Sequence, residues 1–262
     1  MADSITWFDS VDSTNTRLAA DRAGLPDRTV YAAVFQTAGR GQKGNRWESK
    51  AGENLTFSVL LKPAGLPVRE QFILSQVTAL SLVDYLRSKE IEAGIKWPND
   101  IYAGDCKICG TLIENYLADD GTVGSAVAGI GLNMNQKTFD PSLPNPTSMS
   151  LLTGKTYDVR EELPLFLKFL FSYCDRLDSP YARNGFDAMY LENLYRRGEW
   201  HLFEEMPASE VPAEKRTGLR IEARILGIDT EARLMLEHRD GTIHSYGFKE
   251  IKYIIQPRAG RG

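Results

Sequence analysis

The sequence predicts an α+β fold: one large domain mixing strands and helices, followed by a small all-β domain. Three observations carry this. Segments that alternate with period 2 are interleaved with segments of helical period along most of the chain. A glycine-rich cationic stretch joins one strand to another rather than a strand to a helix, which removes the dinucleotide-binding α/β folds. A last run of about 45 residues carries only strand and hairpin signals.

The 262 residues allow one or two domains with a full core. A hydrophobic content of 42% and a charged content of 25% are ordinary for a soluble globular protein. The formal net charge of −4 argues against broad nucleic-acid binding while leaving room for a local basic loop. Three cysteines cannot build a disulfide framework, which points to a reducing compartment. The N-terminus lacks the basic and apolar regions of a signal peptide, and no apolar run reaches the length of a membrane span, so a cytoplasmic protein is expected.

Taken in order, Ile5 to Phe8 read as a short strand and Thr14 to Ala23 as a helix. Asp12-Ser13-Thr14-Asn15 between them supply either an N-cap or polar groups facing a ligand, and local sequence does not separate the two. Thr29 to Gln36 form a β-rich run, and after the glycine loop Leu55, Phe57, Val59 and Leu61 alternate as a strand. Between about Pro67 and Lys89, Ile73, Val77, Leu80 and Val83 share one helical face and read as core. Ile95 to Tyr102, broken at Pro98, leads through a turn at Ala103-Gly104-Asp105 into a strand over Lys107–Asn115.

In the strand Val123–Asn133, Ser125, Val127, Gly129, Gly131 and Asn133 share one face. Glycines weaken a strand unless something approaches closely. Two readings fit: a bare floor for a flat ligand with Asn133 facing an adenine edge, or tight packing against a helix. Residues 140–154 read as a loop, 159–178 and 184–197 as helices, and 207–217 as a linker. Leu219 to Ile225 and Arg233 to Glu237 are strands, and Asp240-Gly241 marks a hairpin into Ile243–Phe248.

The glycine loop holds the chemistry. Gly39, Gly41 and Gly44 let a ligand approach the backbone, and Arg40, Lys43 and Arg46 add positive charge. Gly39-Arg40-Gly41-Gln42-Lys43-Gly44 satisfies G-x-G-x-x-G literally, yet no helix opens at Gly44 and Lys62-Pro63 stand where an acidic residue belongs. The P-loop also fails, because Asn45-Arg46 replace its Lys-Ser/Thr. Cys106 and Cys109 make a C-x-x-C with no further ligands nearby; on a regular strand i and i+3 point to opposite faces, which forbids a disulfide.

Asp12-Ser13-Thr14-Asn15, the loop from Gln36 to Gly44, Lys96-Trp97-Pro98-Asn99-Asp100, Lys107-Ile108-Cys109-Gly110 and Gly129-Ile130-Gly131-Leu132-Asn133 occur in that order, and together the sequence resembles the biotin protein ligases. The resemblance spans nearly the whole chain. It implies a mixed-sheet catalytic domain over 1–206 with helices packed on it, and an SH3-like domain over 216–262. It further implies that biotin and ATP form biotinyl-5′-adenylate, Mg²⁺ assisting, and that a lysine of a biotin carboxyl carrier domain then takes the biotin.

By position, the resemblance puts Ser13, Thr14, Asn15 and Gln36 at the ureido head of biotin. Gly39, Arg40, Gly41, Gln42, Lys107, Gly110 and Leu112 complete the biotin site, with Gly110 and Leu112 as its wall. Arg40 and Lys107 are the catalytic pair around the carboxylate and α-phosphate. Lys43, Arg46, Trp47, Asn99, Gly129 and Asn133 join them at ATP. Asp100 is expected either as a Mg²⁺ ligand or as the acceptor of the carrier lysine's proton. Without the motif, Lys107 would read as a solvated strand-end lysine and Trp47 as core packing.

Some family members carry an arginine that retains the adenylate where this chain has Gln42; here Gln42 is expected to hold the loop through hydrogen bonds. Ligase-like sequence starts within about ten residues of Met1, so the helix-turn-helix of some relatives has no counterpart and no operator binding is expected. The resemblance allows a homodimer. A lipoate ligase shares the acyl-adenylate logic but carries a different loop, and a non-catalytic biotin-binding regulator would not need both Arg40 and Lys107.

Overall fold

A computed structural model describes residues 5–42, 44–177, 183, 185–206 and 218–255. The chain divides into two compact units, Met1–Tyr190 and Leu191–Gly262.

The first unit is built on seven strands: β1 (Ile5–Val11), β2 (Val30–Gln36), β3 (Leu55–Leu61), β4 (Gly94–Lys96), β5 (Asp100–Ala103), β6 (Cys106–Leu117) and β7 (Val123–Leu132). They lie in the order β1-β2-β3-β7-β6-β5-β4. β1 runs parallel to β2 and the remaining neighbours are antiparallel, so the sheet is mixed as expected. All seven residues of β3 are buried, because the sheet is covered on both faces.

Helix α1 (Thr14–Asp21) covers one face, where Leu18 packs with Tyr31, Leu60 and Val127. The other face meets α2 (Ile73–Ser88) and α4 (Val159–Cys174). There Phe166 lies edge-on to both Phe57 and Tyr85, with centroids 5.5 and 5.7 Å away. The stripe Ile73, Val77, Leu80 and Val83 is buried, but so are Leu74, Thr78, Leu82 and Leu86, because α2 packs against α4 as well as against the sheet. Two buried hydroxyls on α2 are satisfied within the helix: the Thr78 hydroxyl donates to the Leu74 carbonyl at 2.7 Å and Ser81 to that of Thr78 at 2.8 Å.

Residues 140–154 are not wholly loop. Met149–Thr153 form α3, too short to show a period in sequence, capped by the Ser148 hydroxyl and stopped at Gly154 with φ 73°. No helix among the described residues is long and apolar enough to cross a membrane.

The second unit is an antiparallel sheet of β8 (Trp200–Glu205), β9 (Leu219–Ile228), β10 (Leu234–His238), β11 (Ile243–Tyr246) and β12 (Ile251–Tyr253), ordered β11-β10-β9-β8-β12. This agrees with the expected SH3-like domain. The Asp240-Gly241 hairpin forms, with Gly241 at φ 82° and the Asp240 carboxylate accepting from the Thr242 N–H at 2.9 Å. β8 falls within the first domain expected over 1–206 but belongs to this sheet: it pairs with β9 and β12, and Phe203 packs on Tyr253 at 5.1 Å. The expected linker 207–217 lies outside the described residues.

Candidate functional site

The site is assembled on the α1 face of the sheet. Gly131 on β7 lies between Thr56 of β3 and Gly110 of β6, and Gly129 lies between Ser58 and Leu112. These small residues make a shallow floor, and the chain's own side chains rest on it. A Cβ on Gly129 would come within 2.0 Å of the Asn15 amide oxygen, and one on Gly131 within 2.2 Å of the Trp47 indole. The glycines therefore serve close packing, by the start of α1 at Gly129 and by the loop tryptophan at Gly131.

Lys107 reaches this face because β6 is irregular. Tyr102 pairs with Lys107 and Ile101 with Cys109, which leaves Ile108 as an extra residue. Strict alternation would put residues 107 and 110 on opposite faces. The extra residue brings the lysine round, so that a Cβ on Gly110 would lie 3.2 Å from Lys107 Nζ. The same irregularity undoes the argument from opposite faces for Cys106 and Cys109, whose strand partners Ala103 and Ile101 are two residues apart. Both are buried free thiols, and burial pushes the Cys109 thiol well up.

Ser13 is the N-cap of α1, its hydroxyl accepting from the Thr16 N–H at 3.5 Å. Thr14 and Asn15 inside the first turn begin a connected polar network. The Gln36 amide oxygen accepts from Thr14 N–H at 2.8 Å. Thr14 and Ser58 hydroxyls meet at 2.7 Å, and Ser58 donates to the Asn15 amide oxygen at 2.5 Å. The Asn15 amide nitrogen donates to the Leu112 carbonyl at 3.2 Å and to the Glu114 carboxylate at 3.1 Å.

The glycine loop folds back as a small hairpin of its own. Trp47 N–H donates to the Gly39 carbonyl and Gly41 N–H to the Asn45 carbonyl, both at 3.0 Å, around a bridge of Arg40 with Arg46. A Cβ on Gly39 would meet the Trp47 carbonyl at 2.3 Å. Gln42 holds the loop by its backbone carbonyl, which accepts from Asn45 N–H at 2.8 Å, whereas its side-chain oxygen is buried without a partner among the described residues. The Trp47 indole N–H is likewise buried and unpartnered. Arg46 is exposed, and Lys43 lies outside the described residues.

The two expected catalytic cations each rest on their own carboxylate. Arg40 grips Glu114 at two points, 2.8 and 3.2 Å, and touches the Thr16 hydroxyl at 3.5 Å. Lys107 Nζ lies 2.6 Å from Asp100, which also has Lys96 at 3.9 Å, and 5.8 Å from the Trp47 ring centre. Asp100 is thus engaged by two ammonium groups, whereas Mg²⁺ characteristically takes one or two carboxylates together with substrate phosphate oxygens and waters. No group of three or more His, Cys, Asp or Glu among the described residues is arranged to hold a metal.

Asn99 and Asn133 are placed as clamps. Their amide nitrogens donate to the carbonyls of Thr111 at 2.6 Å and Thr147 at 3.0 Å, which orients each amide and leaves it a second N–H and its oxygen. Ser58 and Glu114 escaped the sequence reading: each sits on a strand at a position that alternation marks only as one face or the other. Next to Glu114, burial and the carboxylate's charge raise the Tyr116 phenol.

Residues 7–133 match the biotin/lipoate A/B protein ligase family. The bifunctional ligase/repressor BirA of Bacillus spizizenii is 30% identical over 237 residues, covering 88% of this chain and 68% of that protein. A biotin–[acetyl-CoA-carboxylase] ligase of Paracoccus denitrificans is 32% identical over 175 residues, covering 64% of this chain and 72% of that one. A biotin protein ligase from Aquifex aeolicus, solved with biotin and ATP, superposes with a TM-score of 0.76 at 24% identity, covering 97% of this chain and all of that one, and so shares the fold. The chain belongs to the biotin/lipoate A/B protein ligase family and is a ligase of the biotin protein ligase type.

Proposed function

We propose that this ligase joins biotin to a lysine of a biotin carboxyl carrier domain in two steps, with ATP as the activating substrate. In the first, a biotin carboxylate oxygen attacks the α-phosphorus of ATP, the bond to the β-phosphate breaks, and pyrophosphate leaves. In the second, the lysine amine, having lost a proton, attacks the acyl carbon, and AMP departs with the bonding electrons.

The observation that carries this reading is the convergence of Lys107, Trp47 and the Gly110–Gly131 floor on one face of the sheet. The chemistry must bring two anions together, and at about 4 Å with an effective dielectric near 20 each pair of unit charges repels by ~4 kcal/mol. Lys107 and Arg40 are the fixed cations that offset it. Trp47 offers a face for a flat base and a buried N–H with no partner among the described residues. Gln36 and Thr14 frame the ureido end, while Gly110 and Leu112 wall the ring and chain. We assign Asp100 the role of anchoring Lys107. A Mg²⁺ would enter on the nucleotide's phosphates rather than in a protein cage.

The test is incubation with biotin, ATP, Mg²⁺ and an acceptor carrier domain, read by intact mass, with lipoate in a parallel reaction. A gain of one biotinyl group on the carrier, and none with lipoate, is expected. Lys107→Ala is expected to slow pyrophosphate release by about a hundredfold or more. Unchanged adenylate formation in that variant would overturn the mechanism.

A further inference from the structure

Glu114 has a place in this site that the reaction as described does not use. It stands on β6 two residues beyond Leu112, on the same face, and it holds the loop cation Arg40 at two points. It is also held from another side. The Asn15 amide oxygen can only accept, so Ser58 must donate to it, and the Asn15 amide N–H groups are thereby turned toward Glu114 and the Leu112 carbonyl. The carboxylate is thus fixed by the strand and by α1, whereas Arg40 hangs from a hairpin whose backbone bonds between Gly39 and Trp47 are internal to it. Exposure agrees: the Arg40 side chain is 45% exposed and that of Glu114 25%.

We propose that Glu114 is a positioning residue: it stores Arg40 in the empty site and gives it up to the substrate's anionic groups when they arrive. The inference rests on reading Arg40 as an anion-binding group. In the empty protein Arg40 is neutralised by Glu114 as Lys107 is by Asp100, so the face keeps two cations within reach without presenting bare positive charge to solvent. A phosphate oxygen carries a stronger charge-assisted bond than an exposed ion pair can repay, so exchange favours the substrate. Glu114 then remains with Asn15, keeping the biotin-head network oriented while the cation moves.

The experiment measures binding of inorganic pyrophosphate to the biotin-free, full-length protein by calorimetry at low and at physiological salt. Glu114→Gln keeps an acceptor for Asn15 and removes the charge. It is expected to tighten pyrophosphate about three- to fivefold at low salt, less at physiological salt, since exposed pairs are weak and screened. The gain should vanish when Arg40→Ala is added, a dependence that a merely structural role would not produce. Equal affinity in Glu114→Gln and the parent, or a gain that survives Arg40→Ala, overturns the proposal. Should Arg40→Ala alone leave pyrophosphate affinity unchanged, the anion-binding reading of the loop fails, a result that does not involve Glu114. If Glu114→Gln does not fold, Glu114→Asp keeps the charge but shortens the reach, and the same sign with a smaller gain is expected; no gain there counts against the proposal equally.

Discussion

Replacing Gly131 by alanine tests how the floor of the site is built. The new Cβ would lie 2.2 Å from Trp47 Cε2 and 2.6 Å from both Cζ2 and Nε1, distances no real contact reaches. Either the sheet and indole yield, which costs about 1–3 kcal/mol as overpacking, or the indole lifts away. Lifting exposes roughly half of the ring's area, about 100 Å², or ~2.5 kcal/mol at 25 cal/mol per Å². Against this, alanine in a strand interior is favoured over glycine by about 0.5–1 kcal/mol. The net expectation is a loss of about 1–2 kcal/mol in the parent, and a gain of about 0.5–1 kcal/mol where Trp47→Ala has removed the obstacle. The sign should therefore invert, with a coupling of about 2 kcal/mol between the two positions. Urea unfolding of the four proteins of the cycle, followed by far-UV circular dichroism, measures it. A Gly131→Ala cost of the same sign and size in both backgrounds would refute the claim that the glycine is there to seat the indole.

Two further expectations follow from hydrogen-bonded polar groups. Ser58→Ala, at a fully buried position, leaves the Asn15 amide oxygen without its donor, which predicts a loss of about 1–3 kcal/mol in urea unfolding and weaker biotin binding by calorimetry; a change under about 0.5 kcal/mol would contradict the network. In the second unit, burial alone would raise the Asp229 carboxyl, yet the N–H groups of Arg233 and Glu231, at 2.9 Å each, and the Arg233 charge hold it below the usual range. A depressed folded value means that its contribution is present above the unfolded value near 3.9 and is lost as pH falls through the folded one. Hydrogen exchange at the Arg233 amide, corrected for intrinsic rates, should lose protection in acid, and Asp229→Asn should remove that dependence; parallel acid profiles in the two proteins would dismiss it.

The alternation of β3 and β7, the stripe on α2 and the Asp240-Gly241 turn could be read directly, because each depends on a few neighbouring residues. The glycines of the loop and of β7 were legible as positions of close approach, though what approaches them was left open between a ligand and a helix. The structure places Asn15 and Trp47 there. Other features depended on distant partners. β8 joins the second sheet through pairing with β9 and β12, which its own composition does not mark.

By itself the sequence determined most of the strands and helices in order, though not α3 or β8, together with the cationic loop between two strands and the five motifs that place the chain in its family. Tertiary structure alone decided that Lys107 faces the floor, through one extra residue at Ile108, and that Glu114 and Ser58 belong to the site at all. The physical reason is range. Period and propensity act over a few residues of one segment, whereas a bulge is set by the register of two strands. The Asn15–Glu114 hydrogen bond spans 99 residues of chain and exists only once α1 has settled on β6 and β7.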